Sequence, residues 1–253
     1  MSCHQTMTGS INSLKSLMTW WKRCVNGWAE IISASVIFLV THTLPARPAI
    51  RTRLTGLIGR RAYLTLYSLV SLVLLAWLIM AAGRAPHVGF WSWTPERAWL
   101  ANGLLAIALW LAVCGAAIAN PFSLGGLAGK AYDLALPGIL AVMRHPLLLA
   151  LVLWSLAHLT VNGDLAHILL FGSMGAFSLI GVLAMECRAR KRAGPKWRQV
   201  SEDTSLLPFS SLMTGQARWS GLLSWRLLIV PAVWAVIVVL HRQLLGVSPL
   251  PPL

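Results

Sequence analysis

The chain has 253 residues, of which 57% are hydrophobic and only 11% are charged, and its net charge is +14. Its mean hydropathy is +0.70, whereas an ordinary soluble domain carries about 25% charged residues. These values exclude a typical soluble protein and predict an all-α, polytopic membrane helical bundle. The basic residues lie in loops between apolar segments and form no continuous face, so they argue against nucleic-acid binding.

Six segments are predicted to cross the membrane, because a transmembrane helix needs about 20 apolar residues. They lie near 28–45, 63–83, 98–118, 146–162, 165–185 and 224–241. The apolar run 134–143 is a candidate extension of the short fourth span. A turn at 162–164 joins the fourth span to the fifth, which predicts a tight antiparallel hairpin. Residues 1–28 are interpreted as a basic, interfacial extension, and residues 29–253 as the transmembrane domain.

The distribution of basic residues predicts the topology. Loops after the first, third and fifth spans hold fifteen Lys and Arg, and the opposite side holds six. The side with fifteen is predicted to be cytoplasmic, with both termini outside.

Three histidines are the candidate functional residues, because ionisable groups in apolar spans are costly and usually serve a purpose. His145 and His158 are thirteen residues apart, which separates them by about 20 Å and about 220° on a straight helix. They therefore cannot bind one metal ion together while that helix stays straight. His158 and His42 lie inside spans, where each can bond a neighbouring helix or ligate a metal or haem.

His145 stands between Arg144 and Pro146 at the start of the fourth span. In the structural interpretation, Pro146 opens the helix, His145 satisfies free N–H groups, and Arg144 extends to lipid phosphate. A functional role for His145 is the alternative.

The remaining polar residues do not form a known catalytic motif. The four cysteines make no CxxC pair or CxxCH haem-attachment motif. The carboxylates are scattered, and no Ser-His-Asp order, HExxH or Gly-rich phosphate loop is present. A hydrolase is therefore disfavoured.

Several sequence blocks resemble the NnrU family, from about residue 29 to 250. They are GRRAYLTLYSLVSL (59–72), NPFSLGG (120–126), RHPLLLALVLWSLAHLTVNGDLAHILLFG (144–172), TSLLPF (204–209) and HRQLLGVSP (241–249). The resemblance implies a bacterial inner-membrane protein linked to denitrification. It also implies that a nitrogen-oxide reductase or an electron donor is a partner.

A relative of that family, the 15-cis-zeta-carotene isomerases, implies haem b as cofactor. The matching ligand positions are His42 and His158, and His145 matches a neighbouring histidine. Ser155 stands where the relative has a cysteine proposed as an exchangeable ligand. On the predicted spans, His42 lies near the inner end and His158 near the outer end. Since axial ligands must share a depth, His42 and His145 pair better, and all three stay candidates.

A second resemblance is to membrane methyltransferases of isoprenylcysteine and phospholipids, which use S-adenosylmethionine. The matching residues are Arg144, His145, Pro146, Glu186, Gly194 and Trp197. Those enzymes usually carry paired acids, whereas here Cys187 follows Glu186. Three functions are therefore open: a haem-binding protein supporting nitrite and nitric oxide reduction or a redox isomerisation, a methyltransferase-like enzyme, and a non-enzymatic assembly factor for a reductase.

Overall fold

The computed structural model describes residues 14–123, 138–215 and 225–251. In those ranges the chain is almost entirely helical, which confirms the predicted all-α class. The α-helices are α1 (Leu14–Thr43), α2 (Pro48–Ile58), α3 (Arg60–Arg84), α4 (Pro95–Ala117), α5 (Pro146–Val161), α6 (Leu165–Ala193), α7 (Trp197–Ser201), α8 (Ser210–Met213) and α9 (Ile229–Leu245). Short 3-10 turns cover Gly138–Ala141, Gly194–Lys196 and Trp225–Leu228, and two short strands cover β1 (Gly89–Trp91) and β2 (Gly163–Asp164).

Four helical segments of the described chain are long and apolar enough to cross a membrane. They are Cys24–Thr43, Arg60–Arg84, Pro95–Ala117 and Leu165–Gln199. The predicted fourth and sixth spans correspond to the shorter apolar helices α5 and α9, of 16 and 17 residues. Six full-length spans are therefore not confirmed.

The apolar run 134–143 does not extend α5, although we expected that it could. Residues 138–141 form a separate 3-10 turn, and α5 starts only at Pro146. His145, directly before Pro146, has φ −117° and ψ 57°, which is not a helical conformation, so no helix continues into α5 from the preceding residues. Residues 134–137 lie outside the described ranges.

The described chain divides into two compact units. The first comprises the residues up to Trp91 together with Gly163–Leu170. In it, α1 and α3 pack antiparallel: the Glu30 carboxylate accepts hydrogen bonds from Trp77 and Arg84, and the Tyr63 hydroxyl donates to the Pro45 carbonyl. The strands β1 and β2 pair antiparallel in the same unit.

The second unit contains Ser92–Asn162 and Phe171–Leu253. Its buried core is formed by α4, α5, α6, α8 and the turn at 138–141. The predicted α5–α6 hairpin is confirmed, because Leu148 lies against Gly181 and Ser155 lies against Gly175, as antiparallel helices require.

A close contact between α4 and α5 depends on a glycine. A Cβ atom placed on Gly115 would lie 2.7 Å from Cγ of Pro146, closer than carbon atoms can approach. Small residues at helix interfaces allow such close backbone packing in membranes. Gly103, on the same helix, has no atom within 4 Å of the equivalent position.

We expect Gly115→Ala to lower the free energy of unfolding by about 1–3 kcal/mol, because the added methyl group overpacks the α4–α5 contact. Gly103→Ala is the matched control and should be neutral or slightly stabilising. Thermal unfolding of both variants in detergent tests this expectation. A Gly115→Ala protein as stable as Gly103→Ala would contradict it.

Candidate histidine sites and a buried Arg144 cluster

His158 lies in α5 with its ring orientation fixed by the backbone. Its Nδ1 is 2.8 Å from the Trp154 carbonyl oxygen, one helical turn earlier. A carbonyl can only accept, so Nδ1 carries the proton, and in the neutral imidazole Nε2 carries the lone pair. The ring centroid lies 4.7 Å from those of both Trp154 and Phe171, and the Phe171 ring is stacked at 28°.

His42 lies one residue before the end of α1 and contacts α3. Its Nδ1 is 3.3 Å from the Ser71 hydroxyl, and its backbone carbonyl accepts a 2.7 Å hydrogen bond from the Tyr67 hydroxyl. That bond satisfies one of the carbonyls that a helix end leaves without an intrahelical donor. The ring stacks on Phe38 at 17°, with centroids 5.3 Å apart.

The two histidines share a local arrangement. Each has an aromatic residue four positions earlier, Phe38 for His42 and Trp154 for His158, and each has a bonded Nδ1. Residues four apart lie on the same face of a helix, so the sequence carries this signal. The spacing between the histidines does not reveal it.

The three candidate histidines do not all belong to one unit. His42 lies in the first unit, whereas His145 and His158 lie in the second. His145 directly precedes the first residue of α5, and His158 lies in the last turn of that helix. Which of them would share a metal or haem stays a prediction.

His145 is fully buried, and its side chain bonds a carboxylate. Its Nε2 is 3.2 Å from Oε2 of Glu186. Pro146 opens α5, as expected, but the His145 side chain forms no capping hydrogen bond, so the expected role in satisfying helix N–H groups is wrong. Among the described residues, Nδ1 of His145 has no hydrogen-bond partner.

Burial lowers the pKa of His145, because it disfavours the charged imidazolium. The hydrogen bond and charge of Glu186 oppose this shift, and the positive charge of Arg144 adds to it. His145 is therefore neutral at pH 7, and its Nε2–H donates to Glu186.

Arg144 is the centre of a buried polar cluster. Its guanidinium donates to Glu186 Oε1 at 2.7 Å, to the Thr204 hydroxyl at 2.8 Å, and to the carbonyls of Ser201 and Thr204 at 3.1 Å. Its side chain is only 12% exposed, so the expectation that it extends to lipid phosphate is wrong. The Trp197 ring lies 5.4 Å from the guanidinium carbon. We call Arg144, His145, Glu186, Thr204 and Trp197 the Arg144 cluster.

The segment after α7 is fastened to the turn that precedes α5. The Ser205 carbonyl accepts from the Arg144 backbone N–H at 2.7 Å, and the Ser205 backbone N–H donates to the Leu140 carbonyl. The Ser211 hydroxyl donates to the Ala141 carbonyl at 2.9 Å. Sequence reasoning missed these serines, because isolated serines in a polar stretch carry no recognisable signal.

Ser155 is fully buried inside α5, where it faces α6. A Cβ atom on Gly175 would lie 3.2 Å from the Ser155 Cβ. The Ser155 hydroxyl oxygen has no hydrogen-bond partner among the described residues. As the sequence indicated, no thiolate is available at this position.

Two of the remaining histidines, His167 and His241, make local contacts. His167 Nδ1 lies 2.6 Å from Asp164, which also accepts from the His167 backbone N–H and so caps α6. Burial raises the pKa of Asp164, but its bonds and attraction to His167 outweigh burial and lower it. His241 Nδ1 donates to the Val247 carbonyl at 2.8 Å. In the ranges that the structure covers, no group of three or more His, Cys, Asp or Glu could hold a metal ion.

We expect Glu186→Gln to lower the free energy of unfolding by about 3 kcal/mol, because it leaves the buried Arg144 guanidinium without a counter-charge. Glu202→Gln makes the same chemical change at an exposed position 16 residues later and should have little effect. Thermal unfolding in detergent compares the two variants. Equal stability of Glu186→Gln and the parent protein would show that the ion pair does not stabilise the fold.

Comparison with known proteins identifies the family. The model of the family described as NnrU protein matches residues 30–249. The 15-cis-zeta-carotene isomerase of Arabidopsis thaliana chloroplasts is 24% identical over 199 residues, which cover 76% of this chain and 53% of the relative. The chain thus spans about half the length of that relative. No solved structure gives a significant match. The chain belongs to the NnrU family.

Proposed function

We propose that this NnrU-family membrane protein binds haem b, with His158 and His42 as candidate iron ligands, and that it supports nitrite and nitric oxide reduction or a related redox isomerisation. The single observation that carries the proposal is the fixed orientation and protonation of the His158 ring. The relative named as a carotene isomerase supports a redox-linked isomerisation.

The His158 ring has the features of an iron ligand. Metal-ligating histidines usually donate the proton of their second nitrogen to a carbonyl or carboxylate, which fixes the ring and raises its basicity. The Trp154 carbonyl accepts this proton at 2.8 Å. Nε2 is then the nitrogen with a lone pair to give to iron.

The surroundings of His158 also fit a haem. Trp154 and Phe171 place two aromatic rings next to the imidazole, and a porphyrin is a large apolar plane that packs well against such rings. When bound, haem would supply an iron that changes oxidation state and, if one ligand is lost, a coordination position for nitric oxide. Apolar residues around it would limit the access of water.

His42 is proposed as a further candidate ligand for similar reasons. Its ring is held by the Ser71 hydroxyl and stacked on Phe38. A hydroxyl can donate or accept, so Ser71 can support the tautomer in which Nε2 has the lone pair.

His145 is proposed to position Glu186 rather than to bind iron. Its Nε2 is directed at the carboxylate, and its side chain is 0% exposed. Its role would then be to hold the Glu186 carboxylate on the Arg144 guanidinium, which leaves His158 as the α5 histidine in the ligand set.

The proposal predicts an absorption spectrum with a Soret band, and with α and β bands after reduction by dithionite, for protein purified from haem-replete cells. His158→Ala and His42→Ala should each lose bound haem or shift these bands, because each would remove a nitrogen ligand of the iron. His241→Ala is the matched control. It also removes a histidine whose Nδ1 donates to a carbonyl, but it should leave the spectrum unchanged.

A featureless spectrum of folded wild-type protein would refute haem binding. Full haem retention with unchanged bands in both His158→Ala and His42→Ala would refute the ligand assignment. Addition of nitric oxide to the reduced protein tests the proposed chemistry, since a ferrous haem that can lose one ligand should show a shifted Soret band.

A methyltransferase-like function is the second candidate, and one observation favours it. Four of the residues that match those enzymes, Arg144, His145, Glu186 and Trp197, do contact one another. The Arg144 guanidinium is, however, already bonded through all three of its nitrogens to protein atoms. Calorimetric titration with S-adenosylmethionine tests this candidate. Saturable binding that Glu186→Gln abolishes would favour it over haem chemistry.

We place the protein in the bacterial inner membrane, with a nitrogen-oxide reductase or its electron donor as partner. The four candidate spans support a membrane location, and the bacterial inner membrane and the partner are what the resemblance to the NnrU family implies. Copurification of a reductase with a protein that binds neither haem nor S-adenosylmethionine would instead indicate an assembly factor.

A further inference from the structure

The short helix α2 is amphipathic, yet none of its residues is buried in the protein. At about 100° per residue, Ile50, Leu54, Leu57 and Ile58 fall within an arc of about 100°. Leu57 is 81% exposed and Ile58 is 46% exposed. Ile50 and Leu54 are half-buried, so the exposed part of the arc lies at the C-terminal end of α2, and the described residues do not cover it.

Arginines surround this apolar arc. Arg51 and Arg53 lie just beyond its two edges by the same helical rotation. Three further arginines, Arg47, Arg60 and Arg61, lie directly before and after α2. All five are exposed.

The arginines have no acidic partners among the described residues. No Asp or Glu occurs between Glu30 and Glu96 in the sequence, and among the described residues none of the five forms an ion pair with a carboxylate. In the first unit, Glu30 bonds Arg84 at the far end of α3. The charge around α2 is therefore uncompensated.

The position of α2 restricts it to the membrane surface. It lies between two candidate transmembrane helices, α1 and α3. Four residues, 44–47, connect it to α1, and Gly59 alone connects it to α3. The Tyr63 hydroxyl donates to the Pro45 carbonyl at 3.1 Å, which ties the start of α3 to the first of these connections.

We propose that α2 and its five flanking arginines form a binding surface for anionic phospholipid headgroups. The guanidinium groups donate paired hydrogen bonds to headgroup phosphates. The apolar arc enters the boundary between headgroups and acyl chains, as in amphipathic helices that lie in the membrane plane. Each arginine near an anionic surface contributes about fivefold in affinity.

Native mass spectrometry of the full-length protein in neutral detergent tests this proposal. The protein is titrated with phosphatidylglycerol or phosphatidylcholine carrying identical acyl chains. We expect a clear preference for phosphatidylglycerol. Arg51→Gln/Arg53→Gln should weaken that binding by about 25-fold, from about fivefold for each arginine. Thr52→Gln/Thr55→Gln alters the polar face of the same helix without a charge change and should bind like the parent.

Equal binding of the two lipids would overturn the proposal, and so would phosphatidylglycerol affinity in Arg51→Gln/Arg53→Gln within about twofold of the parent. Millimolar inorganic phosphate should not displace the lipid, and full displacement would indicate a phosphate site instead of a lipid surface. Circular dichroism confirms the helical fold of each variant. If the double variant does not fold, Arg51→Gln alone should weaken binding about fivefold.

Discussion

The ion pair between Arg144 and Glu186 is the interaction on which the second unit depends. Burying a guanidinium is expensive unless a carboxylate and further acceptors surround it, and here Glu186, Thr204 and Ser201 supply both. The pair joins the start of α5 to α6 and draws the segment after α7 against them. The buried, uncharged His145 bonds the other carboxylate oxygen of Glu186, the one that Arg144 does not bond. The cluster thereby fixes the N-terminal end of α5, whereas His158 lies in the last turn of that helix.

The imidazoles of His42 and His158 are held by different means from that of His145. Each has a hydrogen-bonded Nδ1 and an aromatic residue one turn earlier. His145 is held by a carboxylate instead. In a membrane protein with few acids, this difference distinguishes His42 and His158 from His145, which bonds a carboxylate. This distinction rests on the contacts of each imidazole ring and not on the predicted depth of each histidine in the membrane.

The sequence predicted the helical class, the α5–α6 hairpin and the start of α5, because these follow from apolar periodicity and from proline and turn residues. It could not predict that the Arg144 side chain is buried, since an arginine at a span end extends to lipid in the absence of a buried acid. Glu186 is 42 residues away, and only the packing of α5 on α6 brings it there. The predicted bounds of the fourth span, 146–162, match α5 closely, whereas its candidate extension over 134–143 was wrong, because hydropathy cannot show that residues 138–141 form a separate 3-10 turn.

The contact between Ser155 and Gly175 has a consequence for the evolution of the family. A side chain on Gly175 would press on Ser155, with 3.2 Å between their Cβ atoms, so position 175 cannot enlarge while position 155 carries a side chain. A chain that acquires a bulkier, more reactive residue at 155 must keep glycine at 175, whereas serine at 155 leaves almost no room for alanine at 175. The two positions are therefore expected to vary as a pair, and a lineage that loses this glycine forfeits the chance to place a thiol there.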